Sequence, residues 1–161
     1  MASKKNNAIQ SMLLDLLRRC EGNHDLEDMA KRVVDEFNKI HQIDTKVNDP
    51  DRRRINKILH AMRGLETGLE TFLAIYGVAP SRPQDKSMGK FMLKLKTPPS
   101  KGPKYVKMPS HVFAAGFSNE DSIRCKRNLY LHQAGMYPTD KETKRIIESV
   151  YKFYQQVLLL G

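Results

Sequence analysis

The stretch from Asn48 to Gly77, NDPDRRRINKILHAMRGLETGLETFLAIYG, constrains the fold more than any other part of the chain. It reads as one long helix, punctuated at both ends. Asn48 or Asp49 can cap it, and Pro50 suits the first helical position, where its missing N–H costs nothing. Gly77 suits the left-handed residue after the last turn, and Pro80 blocks continuation. Between these ends Ile55, Met62, Leu69 and Tyr76 recur every seven residues, and Ile58, Leu65 and Phe72 follow the first three by three. Leu59 and Leu73 widen this seam to the breadth of a core-facing helix, so the other elements are expected to pack on it.

Two features of the helix do not follow from packing. Arg52, Arg53 and Arg54 fill its first turn, with Lys57 one turn on, although a helix N-terminus carries partial positive charge and favours Asp or Glu. Cations beside free N–H groups form an anion site of the kind that takes phosphate; the alternative is a solvated basic turn. Gly64 and Gly68, four apart on one face, each cost roughly 1 kcal/mol relative to Ala. Close approach of another helix is the expected compensation, with a hinge as the second reading.

Residues 1–47 read as a helical hairpin. The first helix, over 6–21, places Ile9, Leu13, Leu16, Leu17 and Cys20 on one face and ends at Gly22-Asn23. The second begins at Asp25, with Asp28 in its first turn, and carries Leu26, Met29, Ala30, Val33, Phe37 and Ile40. The first 50 residues are nearly neutral, at −1, while the whole chain carries +10. The excess lies in residues 78–109. From Arg82 to Lys107, eight basic residues stand against Asp85 alone, a net of +7 in 26 residues punctuated by Pro83, Pro98, Pro99 and Pro103. Proline fixes φ and removes a donor, so this stretch is expected to be an extended arm with one short ordered piece. That piece is Lys90–Lys96, KFMLKLK, whose Phe91, Leu93 and Leu95 alternate as in a short strand; one or two helical turns is the other reading.

Lysines spaced along such an arm can track a phosphate backbone and release counterions, and Tyr105 and Phe91 can stack on unpaired bases. Alternatively, the arm is a linker kept soluble by lysine and anchored to the bundle by those two rings. The expected contact residues are Arg52, Arg53, Arg54, Lys57, Lys90, Lys94, Lys96, Lys101, Lys104, Tyr105 and Lys107. Arg124, Lys126 and Arg127 form a secondary basic patch on a helix expected over Asn119–Ala134, capped by Ser118 with Asp121. Ser110–Ala115 reads as a helical turn ended by Gly116. Thr139–Glu142, TDKE, is a capping box for a last helix to Leu160, whose terminal VLLL closes the core or docks on another subunit.

Catalytic patterns are absent: His24, His41, His60, His111 and His132 are scattered, and there is no HExxH, CxxC, phosphate-loop or GxSxG motif. No catalytic residue, metal or cofactor is therefore expected. Cys20 and Cys125 lack metal spacing and read as reduced thiols, and Asp15 and Arg18 interrupt any signal-peptide core. An intracellular protein is expected, cytoplasmic or nuclear, or carried in a virion if viral.

The expectation is an all-α, single-domain bundle of about five helices over residues 1–161, with a basic surface arm. Its expected role is sequence-tolerant binding of nucleic acid, RNA favoured over DNA, as a small nucleoprotein or coat subunit that self-associates through apolar helix faces. A matrix-like protein on an anionic membrane and a module for an acidic protein partner are the alternatives.

Overall fold

The computed structural model describes the backbone of residues 2–161 and the side chains of residues 8–161. The described chain is all-helical, with six helices of eight residues or more around one contiguous apolar core. Helix α1 spans Ala2–Cys20, α2 His24–Lys46 and α3 Pro50–Ile75. Helix α4 spans Met88–Leu95, α5 is the single turn Ser110–Phe113, α6 is Ile123–His132 and α7 is Asp140–Leu158.

Helix α3 is the axis of the bundle. Asp49 caps it, its Oδ1 accepting from the Arg52 amide at 2.8 Å, and Pro50 opens the first turn. At the far end Gly77 adopts φ +70°, letting the Val78 and Gly77 amides donate to the carbonyls of Leu73 and Ala74. Helices α2 and α7 pack along it, and α4 and α6 on its remaining sides. Ile58, Met62, Leu65, Leu69, Phe72 and Leu73 are buried, as the apolar seam requires. Ile55, Leu59 and Tyr76 are only half-buried.

The two interior glycines hold aromatic rings. A Cβ on Gly64 would collide with the Phe37 ring of α2, and one on Gly68 would lie 2.6 Å from the Tyr154 ring of α7. The Tyr154 hydroxyl donates to the Gly68 carbonyl at 3.3 Å. The compensation for two poor helix formers is thus the close packing of α2 and α7, with α3 continuous through both positions.

Several boundaries differ from those expected. Asn23 belongs to α2 as its cap, accepting from the Leu26 amide at 3.2 Å. The arm contains no strand: Ser87 caps α4, which buries Met88, Phe91, Met92 and Leu95 and leaves Leu93 exposed. The period is helical because Met88 and Met92 extend the apolar face that an alternating reading of Phe91, Leu93 and Leu95 misses. Gly116 does not end the turn at α5. The chain runs on into a wider turn over Ala114–Ser118, closed by the Asn119 amide on the Ala114 carbonyl, with the Phe153 ring against Gly116. That turn takes up Ser118, so α6 starts later and its cap is Ser122, whose Oγ accepts from the Cys125 amide at 3.3 Å.

Thr139 caps α7, accepting from the Glu142 amide at 3.1 Å. At the other end of α7 Val157, Leu158 and Leu160 are buried and Leu159 is exposed, so most of VLLL closes the core. Both cysteines are free thiols, and burial raises the pKa of Cys20.

The starts of α3 and α7 are tied by Arg54, whose Nε lies 2.7 Å from the Asp140 carboxylate. The hydrogen bond from Arg54 lowers the Asp140 pKa below the ordinary carboxylate value. A carboxylate lowered on folding contributes stability above its unfolded pKa and loses it as pH falls through the folded pKa. Asp140→Asn is therefore expected to leave the protein less sensitive to acidification below about pH 4. Urea midpoints measured through that range should show a flatter acid limb than the wild type, and an unchanged limb would deny the pair any role.

Candidate nucleic-acid interface

The residues after Gly77 lie against the distal end of α3, held there by specific bonds. The Tyr105 ring is buried, 5.4 Å from Phe72 and 5.2 Å from Tyr76 between ring centres, and its hydroxyl donates to the Lys94 carbonyl at 3.0 Å. Burial raises its pKa. The Val106 amide donates to the Leu160 carbonyl at 2.7 Å and the Met108 amide to Leu95 at 3.1 Å. Across this span Tyr105 and Met108 turn inward and Lys104, Val106 and Lys107 outward.

These bonds bring the middle lysines together. Lys104 and Lys94 flank the Tyr105 bond, and Lys96 and Lys107 flank the Met108 bond. Lys101 stands in a turn made possible by Gly102 at φ +77°. All five are exposed. Asp85 is occupied by Arg82 at 2.8 Å and Lys90 at 3.0 Å, and the Lys90 hydrogen bond lowers its pKa. Lys86 pairs with Glu70 of α3 at 2.9 Å. Among the described residues no carboxylate pairs with Lys94, Lys96, Lys101, Lys104 or Lys107.

Tyr105 and Phe91, expected to offer faces to unpaired bases, are both core residues. Their rings anchor the arm, which is the alternative the sequence offered for them. The basic start of α3 also has a structural use. Arg53 donates to the carbonyls of Val47 and Asn48 at 3.1 Å each, satisfying the end of α2, and Lys57 pairs with Asp44 at 2.7 Å. Arg54 is held by Asp140 and Asp51, and Arg52 alone of the three points to solvent without a carboxylate among the described residues. This end borders a cavity of about 720 Å³ lined by α1, α2, α3 and α7. It lies about 20 residues of helix from the Tyr105 anchor, roughly 30 Å, so the arginines and the arm lysines are separate surfaces.

The secondary patch divides similarly. Lys126 pairs with Glu142 at 2.6 Å, a hydrogen bond that raises its pKa, and Arg127 lies 3.6 Å from Glu66. Arg124 is exposed and lies on the Phe117 ring, 4.1 Å from its centre. Phe117 stacks on Phe113 at 5.0 Å, and the Lys96 ammonium lies 4.6 Å from the centre of the Phe113 ring. The lysine surface therefore continues through two aromatic rings to α6. Sequence reading passed over Phe113 and Phe117, although their spacing of four inside a helical turn places them side by side.

Among the described residues no group of three or more His, Cys, Asp or Glu is placed to hold a metal ion, and no helix is long and apolar enough to cross a membrane. Comparison with protein-family models, with curated proteins and with solved structures finds no match to this chain.

Proposed function

We propose that this protein binds nucleic acid, RNA in preference to DNA, by neutralising backbone phosphates with the lysines of residues 94–107. Such contacts carry no base code, so binding is tolerant of sequence and suits a packaging role. One observation carries this reading: five exposed lysines with no carboxylate at ion-pair distance among the described residues, on a segment held by Tyr105, Val106 and Met108. Cations elsewhere that were candidates, Arg53, Arg54, Lys57, Lys126 and Arg127, are engaged by the protein's own carboxylates and carbonyls. Unpaired like charges held close together repel, and a polyanion relieves that repulsion while its counterions are released.

The test is the salt dependence of binding to a mixed-sequence RNA. Affinity is expected to fall linearly on logarithmic axes, and changing Lys94, Lys101, Lys104 and Lys107 together to Ala should reduce the slope by about three to four. An unchanged slope would move the contacts elsewhere. Failure to bind either RNA or DNA at low salt would end the proposal.

A second reading rests on Val106 and Leu159, exposed at 69 % and 70 % beside the lysines. Aliphatic side chains amid basic ones suit the headgroup region of an anionic membrane. Sedimentation with vesicles rich in acidic lipid, lost on changing both residues to Ser, would favour it.

A further inference from the structure

We infer that Arg124 is a stacking platform for an unpaired base, making single-stranded nucleic acid the preferred form of ligand; this rests on the nucleic-acid reading above. Phe113 and Phe117 stack on each other, 24° from parallel with ring centres 5.0 Å apart. Lys96 lies over Phe113 and Arg124 over Phe117, giving a run of contacts in the order Lys96, Phe113, Phe117, Arg124. The Arg124 stem runs beside Gly89 of α4, where a Cβ would lie 3.8 Å from Arg124 Cδ and 3.3 Å from the Phe117 ring. Glycine there spares the Phe117 ring a tight contact, and the Arg124 guanidinium already lies over that ring without a ligand.

Arg124 has no carboxylate or hydrogen-bond partner among the described residues, and the residue is exposed to solvent. A guanidinium plane of this kind is a surface on which nucleobases stack, and pre-ordering removes the rotamer cost of using it. A base in a duplex is already covered on both faces and gains nothing there. Lys96, at the other end of the run, adjoins Lys107 through the Leu95–Met108 bond. A strand with one base on Arg124 therefore has lysines within reach of its neighbouring phosphates.

The experiment compares a short labelled RNA strand, an abasic strand of equal length and a duplex, for the wild type and for Arg124→Lys. Lysine keeps the charge and loses the plane. The wild type is expected to prefer the base-bearing strand over the abasic one by roughly tenfold, the scale of one base stack. Arg124→Lys should erase most of that ratio with the salt slope unchanged. Phe117→Leu, which removes the ring beneath, should act in the same direction, and circular dichroism melts would confirm that both variants fold. Equal affinity of the wild type for abasic and base-bearing strands, or a ratio untouched by Arg124→Lys, would overturn this inference while leaving phosphate binding intact. Binding to none of the three would overturn both.

Discussion

Replacing Tyr154 by alanine is expected to lower the free energy of unfolding by about 3–5 kcal/mol, a large part of what holds a domain of this size together. The ring has no exposure to solvent, lies 6.2 Å from Phe37 and fills the notch left by Gly68. Truncation opens a cavity where α2, α3 and α7 meet, and the helices can close it only by losing their register. Tyr154→Phe keeps the ring and loses the hydroxyl bond to the Gly68 carbonyl, for about 1 kcal/mol. The pairing has a sharper signature. In the wild type Gly68→Ala drives a methyl into the ring and should destabilise by about 1–3 kcal/mol. With Tyr154 already Ala, the same change should stabilise, since only its helix propensity remains. Urea denaturation of the four variants measures this reversal, and Gly68→Ala acting alike in both backgrounds would refute the notch.

The second large effect is expected at Tyr105. Alanine there should cost roughly 2–4 kcal/mol and free the segment that carries the lysines. The ring contacts to Phe72 and Tyr76 vanish together with the bond to the Lys94 carbonyl. Hydrogen exchange at the Val106 and Met108 amides should accelerate, and RNA affinity should drop several-fold although no charge has been removed. Tyr105→Phe retains the packing and should keep most of the affinity. If Tyr105→Phe lost affinity as severely as Tyr105→Ala with both amides still protected, the hydroxyl would be acting on the ligand instead.

How much of this was legible in the sequence varied with how local the determining interaction is. Helix α3 could be read almost to the residue, because Asp49, Pro50 and Gly77 act within one turn of themselves. The capping threonine of α7 is legible for the same reason. Helix α4 was ambiguous because Phe91, Leu93 and Leu95 alternate, with only Met92 in the seven-residue window speaking for the helical face and Met88, which completes it, lying outside. The start of α6 depended on a wide turn whose reason, the Phe153 ring against Gly116, lies far along the chain. The lysines of the arm were visible as charge, and the structure leaves them exposed. Their partners were not visible. That Arg53 closes the end of α2 and Arg54 holds Asp140 requires knowing which helix ends meet.

The bond from the Val106 amide to the Leu160 carbonyl joins positions 54 residues apart, and it orders events during synthesis. At about 5–20 residues per second, the lysine segment leaves the ribosome roughly 3–10 s before the residue that pins it. Through that interval the Tyr105 and Met108 anchors can form, because their partners have already been made, but the Val106 bond cannot. A chain halted between Met108 and Leu160 would therefore display the lysines on their Tyr105 and Met108 anchors but without the Val106 bond.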